Sequence, residues 1–209
     1  MPTLLVIEVS PRFDYSTSRK LTERFVAAWM AANPQGRVIT RDLAKAPVPL
    51  VDVAWIGGAF MPADTHTAEM TAAIKVSDDL VAELKSADHV LIATPMFNFS
   101  IPAALKAWID QIVRVGVTVG TDNKGLLSGK RADIILATGG DFTPGSPVAG
   151  YNLASGYLTQ VLGWIGISDV NITLAGRSVA GGVGETAVDA LGATVEAAAT
   201  RAPANAAAM

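Results

Sequence analysis

The chain has no cysteine and only two histidines, His66 and His89, among its 209 residues. The first absence excludes disulfides, thiolate nucleophiles and cysteine-ligated metals. The second leaves a histidine-rich metal site without donors, and an all-carboxylate site would need a cluster of acids that the sequence does not show. His66 reads as a surface residue and His89 as a strand-edge residue. Charge is sparse as well. Only 17% of residues are charged, against 50% hydrophobic, and the net charge of −3 argues against nucleic acid or an anionic membrane as a main partner. No unbroken apolar run reaches the roughly 20 residues of a membrane helix. The stretch 90–105 contains Pro95 and Pro102, and 142–168 is dotted with Gly, Pro, Ser, Thr, Asn and Gln. The N-terminus lacks a basic segment followed by an apolar one and enters an apparent strand at Thr3, so a cytoplasmic protein is expected.

What is present is an alternation of apolar runs with helical patterns, the sign of βαβ units and a parallel sheet. Strands are expected at 3–9, 37–41, 89–94, 132–138 and 169–175. Leu21, Phe25, Ala28, Trp29 and Ala32 recur at helical spacing and end at Asn33-Pro34-Gln35-Gly36. Further helices are expected at 67–85, 102–114, 151–164 and 185–201. The reading is therefore a doubly wound α/β domain over residues 1–201, with five parallel strands, helices on both faces and a frayed tail at 202–209. In such folds ligands bind outside the carboxyl ends of the strands, which directs attention to the loops there. The segment 42–60, after the second strand, reads as a covering piece without obvious chemistry.

The loop after the first strand leads into a helix through three hydroxyls, Ser16-Thr17-Ser18. One hydroxyl is enough for an N-cap, and no Glu or Gln three residues on completes a capping box. The surplus, with Ser10 and Arg12 nearby, suits an oxyanion at the helix N-terminus; simple capping is the competing explanation. The loop after the third strand, Thr94 to Pro102, sets Met96, Phe97, Asn98 and Phe99 between prolines. It offers an apolar ledge with a polar edge, although Met and Phe are more commonly core. After the fourth strand, Thr138-Gly139-Gly140 allows close backbone approach to a ligand or simply a tight turn. Gly182 to Ala187 matches GxGxxA, but it follows the last strand and reads as a glycine-rich loop. Together the first three loops match the phosphate, ring face and ring edge of FMN.

The stretches SPRFDYSTS, PMFNFSIPAALKAWIDQI, GLLSGKRADIILATGGDF and LGWIGISDV resemble the FMN-dependent NADH:azo-compound and NADH:quinone reductases. The resemblance implies a flavodoxin-like sheet of order 2-1-3-4-5. It implies that Ser10 and Ser16-Thr17-Ser18 hold the FMN phosphate, a role that Arg12 also suits by its place in the loop. Pro95, Met96, Phe97, Asn98 and Phe99 would line the isoalloxazine, and Ala137, Thr138, Gly139 and Gly140 its pyrimidine edge. No side chain would act as acid or base; the backbone at Asn98 and Gly139 would support charge on the ring. NADH (or NADPH) would be the donor and a quinone or azo compound the acceptor, in a pocket of Phe97, Phe142 and Trp164, with Trp164 reaching toward the flavin site of the partner subunit. Phe97 stands where the family often has Tyr, Thr138 where Arg is common, and 117–124 is short and lacks an aromatic. The charge-free helix with Tyr151, Leu153, Tyr157, Leu158, Val161, Leu162 and Trp164 implies a homodimer, unless segment 42–60 covers it. A flavodoxin-type electron carrier is the alternative on the same fold.

Overall fold

The computed structural model describes residues 1–177 and 183–202. Gly182 and all of the expected tail but Ala202 lie outside that range. Five strands, β1 (Thr3–Glu8), β2 (Arg37–Asp42), β3 (His89–Pro95), β4 (Arg131–Ala137) and β5 (Asp169–Ala175), form one parallel sheet in the order β2-β1-β3-β4-β5. The register sets Leu4 beside His89, His89 beside Arg131 and Arg131 beside Asp169, so the strands start level and end level. Strand alternation sends Leu4, Val6, Leu91 and Ile135 to one face and Leu5, Ile7, Val90, Ile92 and Ile134 to the other. Burial on both faces is what demands the near-continuous apolar runs of β1, β3 and β4. The edge strand β2 is only partly buried, and its RVITRD sequence is correspondingly polar.

The first face is covered by α1 (Thr17–Ala32) and α6 (Val183–Thr200), through Leu21, Phe25, Trp29, Val195 and Ala198. The second is covered by α3 (Ala68–Ser86), α4 (Ala103–Ile112) and α5 (Leu153–Trp164), through Leu80, Leu84, Leu105, Trp108, Leu158 and Leu162, after α2 (Val53–Phe60). Among the described residues, no helix is long and apolar enough to cross a membrane.

Three expectations need correction. The segment after β2 holds a helix, α2, capped by Asp52, whose carboxylate accepts from the Trp55 N–H at 2.8 Å. Its two glycines are close-contact points. A Cβ on Gly57 would lie 2.5 Å from Met70 Cε, and one on Gly58 would lie 2.8 Å from the Met70 carbonyl. This segment packs on α3 and does not cover α5. Tyr151 precedes α5, in a short 3-10 turn, and Asn152 caps the helix by accepting from Ser155 N–H at 3.1 Å.

His89 is not at a strand edge in the sense of being accessible: it is 2% exposed at the start of β3. Its Nε2 lies 2.7 Å from Asp133 Oδ2, and the Asn171 amide donates to Asp133 Oδ1 at 2.7 Å. Burial pushes the imidazole pKa down, against the pull of Asp133. This pair is a buried contact at the amino edge of the sheet, remote from the carboxyl ends, and it leaves the other ring nitrogen, Nδ1, without a hydrogen-bond partner among the described residues. His66 is half-buried beside α3, with Nε2 3.0 Å from the Met61 carbonyl.

Candidate active site

The strand order reverses between β1 and β3, the switch point where this topology leaves a crevice at the carboxyl edge. β1, β3 and β4 are neighbours, so their three loops span roughly 10 Å at about 4.8 Å per strand.

Beyond β1, the chain makes a 3-10 turn at Phe13–Tyr15 and enters α1. Ser16 is the N-cap, and its hydroxyl accepts from Arg19 N–H at 3.4 Å. Ser18 Oγ lies 3.1 Å from Ser16 Oγ, and Ser10 Oγ accepts from Arg12 N–H at 3.3 Å. Both explanations of the triple hydroxyl are therefore needed. Ser16 caps the helix, which leaves Thr17 and Ser18 unexplained by capping. The N–H groups of Thr17 and Ser18 have no acceptor among the described residues, as the first turn of a helix dictates. Ser10, Ser16, Thr17 and Ser18 are all buried, the last three at the helix start, where the dipole is positive. Arg12 lies on the exposed rim.

The sequence reading missed what fixes this loop. Arg19 Nε and Nη2 both donate to the Ser10 carbonyl, at 3.0 and 2.9 Å, while Nη1 and Nη2 donate to the Asp42 carboxylate at 2.8 and 2.9 Å. The guanidinium thus pins the end of β1 to the end of β2, and it stacks 5.2 Å from the ring centroid of Phe13. Phe13 itself takes φ +45°, a left-handed backbone uncommon for a bulky residue. A cation in the first turn of a helix opposes the dipole, which was the available signal that Arg19 is held there by something else. Beneath it, burial raises the pKa of Glu8 to about 7, and Arg19, 3.8 Å away, offsets part of that rise.

After β3, Met96 N–H continues the sheet by donating to the Ala137 carbonyl at 2.8 Å. Phe97 and Ser100 then exchange backbone hydrogen bonds of 2.9 and 3.0 Å around Asn98 and Phe99. Those central residues have φ of +48° and +71°, the pattern of a tight primed turn. Asn takes this conformation readily; Phe does not, so strain is stored at Phe99. The turn leaves the Asn98 and Phe99 N–H groups without acceptors among the described residues. It also leaves the Phe97 ring 47% exposed, a large cost in water unless something flat covers it. Phe99 does a different job: its ring packs 6.4 Å from Phe142 and 5.6 Å from Tyr151, and its carbonyl accepts from Leu153 N–H at the start of α5.

After β4, Thr138 is buried, its N–H donating to the Ala175 carbonyl and its hydroxyl to the Gly140 carbonyl at 2.8 Å. Gly139 and Gly140 are exposed in the turn between Ala137 and Asp141. A Cβ on Gly140 would press the Phe142 ring at 3.2 Å. Arg177, after β5, also joins this edge, donating its N–H to the Gly140 carbonyl and reaching Asp141 at 3.4 Å.

Within one chain, Phe97 and Phe142 stand apart from Trp164. Phe97 and Phe142 are at the carboxyl edge. Trp164 ends α5, whose 12 residues carry it roughly 16 Å toward the amino edge at about 1.5 Å per residue. There it lines a groove of about 340 Å³ between α4 and α5, with Ile109, Val113, Tyr157 and Val161. The short segment 117–124 lies at the same end, folded on Thr118, whose hydroxyl donates to the Ile112 carbonyl at 2.7 Å.

The chain matches the flavodoxin-like fold model over residues 2–200. It is 46% identical over 196 residues to FMN-dependent NADH:quinone oxidoreductase 2 of Jannaschia sp. (strain CCS1), covering 94% of this chain and 96% of that one. It is 49% identical over 179 residues to the FMN-dependent NADH:quinone oxidoreductase of Acidobacterium capsulatum, covering 84% and 86%. Among solved structures it superposes on the azoreductase of Bacillus anthracis str. Sterne with a TM-score of 0.85 at 27% identity, over 95% of this chain and 99% of that one. With near-complete coverage in both directions, the chain belongs to the family of FMN-dependent NADH:quinone oxidoreductases, built on the flavodoxin-like fold.

Proposed function

We propose that the chain, acting as one domain over residues 1–201, binds FMN at the carboxyl edge of its sheet and uses NADH to reduce quinones, azo compounds or both. The observation that carries this reading is the order of three loops on adjacent strands. Oxyanion donors follow β1, an uncovered aromatic with free N–H groups follows β3, and an open turn follows β4. That sequence of functions over roughly 10 Å suits a phosphate at one end and a flat heteroaromatic ring at the other.

FMN, when bound, supplies the two-electron chemistry that joins a nicotinamide donor to a quinone or azo acceptor. Ser10, Ser16, Thr17 and Ser18, with the Thr17 and Ser18 N–H groups, would hold the phosphate, with Arg12 at its rim. Pro95, Met96, Phe97 and Asn98 would carry the ring, and Phe99 would contribute its N–H rather than its side chain. Ala137, Thr138, Gly139 and Gly140 would meet the polar edge. The N–H donors at Asn98 and Gly139 are preorganised by their turns, so they stabilise negative charge at the ring without rearranging. No side-chain acid or base is assigned; water supplies protons. Use of NADH fits a cytoplasmic enzyme.

A homodimer completes the reading. Leu153 and Trp164 on α5 are 62% and 46% exposed beside the apolar α4–α5 groove, and Leu50, Val53, Ile56, Phe60 and Met61 form a second exposed apolar ridge around α2. Apolar surface of that extent is characteristically covered, and a two-fold pair is its simplest cover. Only a partner's copy could bring Trp164 to the Phe97 edge. An electron carrier would bind FMN equally well, and the reductase names of the relatives favour the enzyme. The purified protein should therefore release FMN rather than riboflavin or FAD on denaturation. Initial-rate plots against NADH at several quinone concentrations should be parallel, since both substrates need the same uncovered face above Phe97. Intersecting lines would count against a shared face.

A further inference from the structure

The charged groups beneath the phosphate loop have a role that positioning of hydroxyls alone does not use. Glu8 is the last residue of β1 and, two residues before Ser10, points to the same side of the strand. It is 6% exposed, and its Oε2 has no hydrogen-bond partner. The nearest cation is Arg19 at 3.8 Å, the same guanidinium that grips the Ser10 carbonyl and Asp42. Lys20, Glu23 and the Thr22 hydroxyl on α1, Asp14 in the loop, and Asp42 and Lys45 at the end of β2 also face it. The neighbouring β3 contributes only Ala93. A cavity of about 330 Å³, lined by Glu8, Arg19 and these neighbours, lets water reach the cluster.

We propose that Arg19 is the positioning residue of the phosphate loop and that Glu8 links cofactor binding to pH, FMN being held most tightly when Glu8 carries a proton. The inference rests on the reading that the FMN phosphate sits at the start of α1. The ionised trio Glu8, Arg19 and Asp42 sums to −1, and protonating Glu8 brings it to zero, leaving the Arg19 charge free to act on the loop. A phosphate dianion next to this trio therefore favours protonated Glu8. Burial already sets the titration of Glu8 near pH 7, although Arg19 works against it. The sign follows. FMN raises the Glu8 pKa further, so binding takes up a proton near neutrality, and affinity falls as pH rises through the folded-state value. The second ionisation of the phosphate itself, near pH 6, acts in the opposite sense and is nearly complete by pH 7.

The test uses the full-length protein, freed of flavin and titrated with FMN and with riboflavin by flavin fluorescence from pH 6.5 to 8.5. FMN affinity should fall about fivefold across that range, the size expected of one charge acting on a nearby dianion through a partly aqueous medium. Riboflavin affinity should stay flat. Glu8→Gln should remove the fall and bind FMN more tightly than wild type at pH 8.5. Arg19→Lys, which keeps the charge and loses the fork, should weaken FMN at every pH while retaining the slope. Wild-type protein mixed with FMN at pH 7.5 in a weakly buffered indicator solution should take up protons, and with riboflavin should not. Superimposable pH profiles for wild type and Glu8→Gln would overturn the proposal, as would the absence of proton uptake should Glu8→Gln fail to fold. Equal affinity for FMN and riboflavin at all pH values would instead remove the phosphate assignment itself, and the proposal with it.

Discussion

Replacing Thr17 and Ser18 together by alanine is expected to weaken FMN binding about a hundredfold or more, while riboflavin binding changes little. Each hydroxyl that donates to a charged phosphate contributes about 1.5–3 kcal/mol, and a factor of ten in affinity corresponds to about 1.4 kcal/mol. The backbone N–H groups of the first turn of α1 remain in the variant, so binding is reduced rather than abolished. Ser18 also lies 3.1 Å from the N-capping Ser16 hydroxyl and is fully buried, so a modest loss of thermal stability should accompany the change. Measuring the melting temperature alongside the two flavin titrations separates these effects. A structural defect alone would lower both affinities together, and equal losses for FMN and riboflavin would contradict a phosphate clamp.

A double substitution on the outward side of α5, Leu153→Glu with Trp164→Glu, is expected to convert a dimer into monomers and to lower quinone reduction at least tenfold. The choice of residues matters. Helical spacing groups Leu158 and Leu162 with the other apolar residues, but both are in the core, with exposures of 0% and 1%. A charge at Leu158 would unfold the chain and test nothing. Leu153 and Trp164 already face outward, so burying charge at a subunit interface is the main cost of changing them. Light scattering at micromolar concentration should give twice the 21.6 kDa chain mass for wild type and the chain mass for the variant. FMN titration should show the phosphate site retained. A monomeric wild type with full quinone reductase activity would rule out the dimer.

Much of this fold is legible in local patterns. β3 and β4 read as strands because burial on both faces requires apolar runs, and the gaps between them carry turn residues. The order of the loops follows from the winding once the strands are known. What was not legible depends on tertiary partners. Val53 to Phe60 contains two adjacent glycines, which by local preference break a helix, yet α2 forms because close packing on Met70 needs them. Arg19 finds Asp42 across 23 positions of sequence, a pairing that no local spacing predicts. Asn98 could be read as a left-handed turn residue, whereas the same backbone at Phe99 could not, because it is strained. The sequence shows Trp164 in a helix with apolar groups around much of its surface; the end of the sheet that Trp164 reaches depends on α5 running against the strands.

The central claim is that this edge of the sheet makes the chain an FMN-dependent NADH:quinone reductase. The most direct measurement follows NADH oxidation at 340 nm by protein reconstituted with one equivalent of FMN and freed of excess flavin, with a soluble quinone present. The account predicts sustained turnover that needs both FMN and quinone and that falls sharply for Thr17→Ala/Ser18→Ala protein at limiting FMN. Protein that holds FMN stoichiometrically and still leaves NADH unoxidised in the presence of quinone would contradict it, and would point to an electron carrier on the same fold.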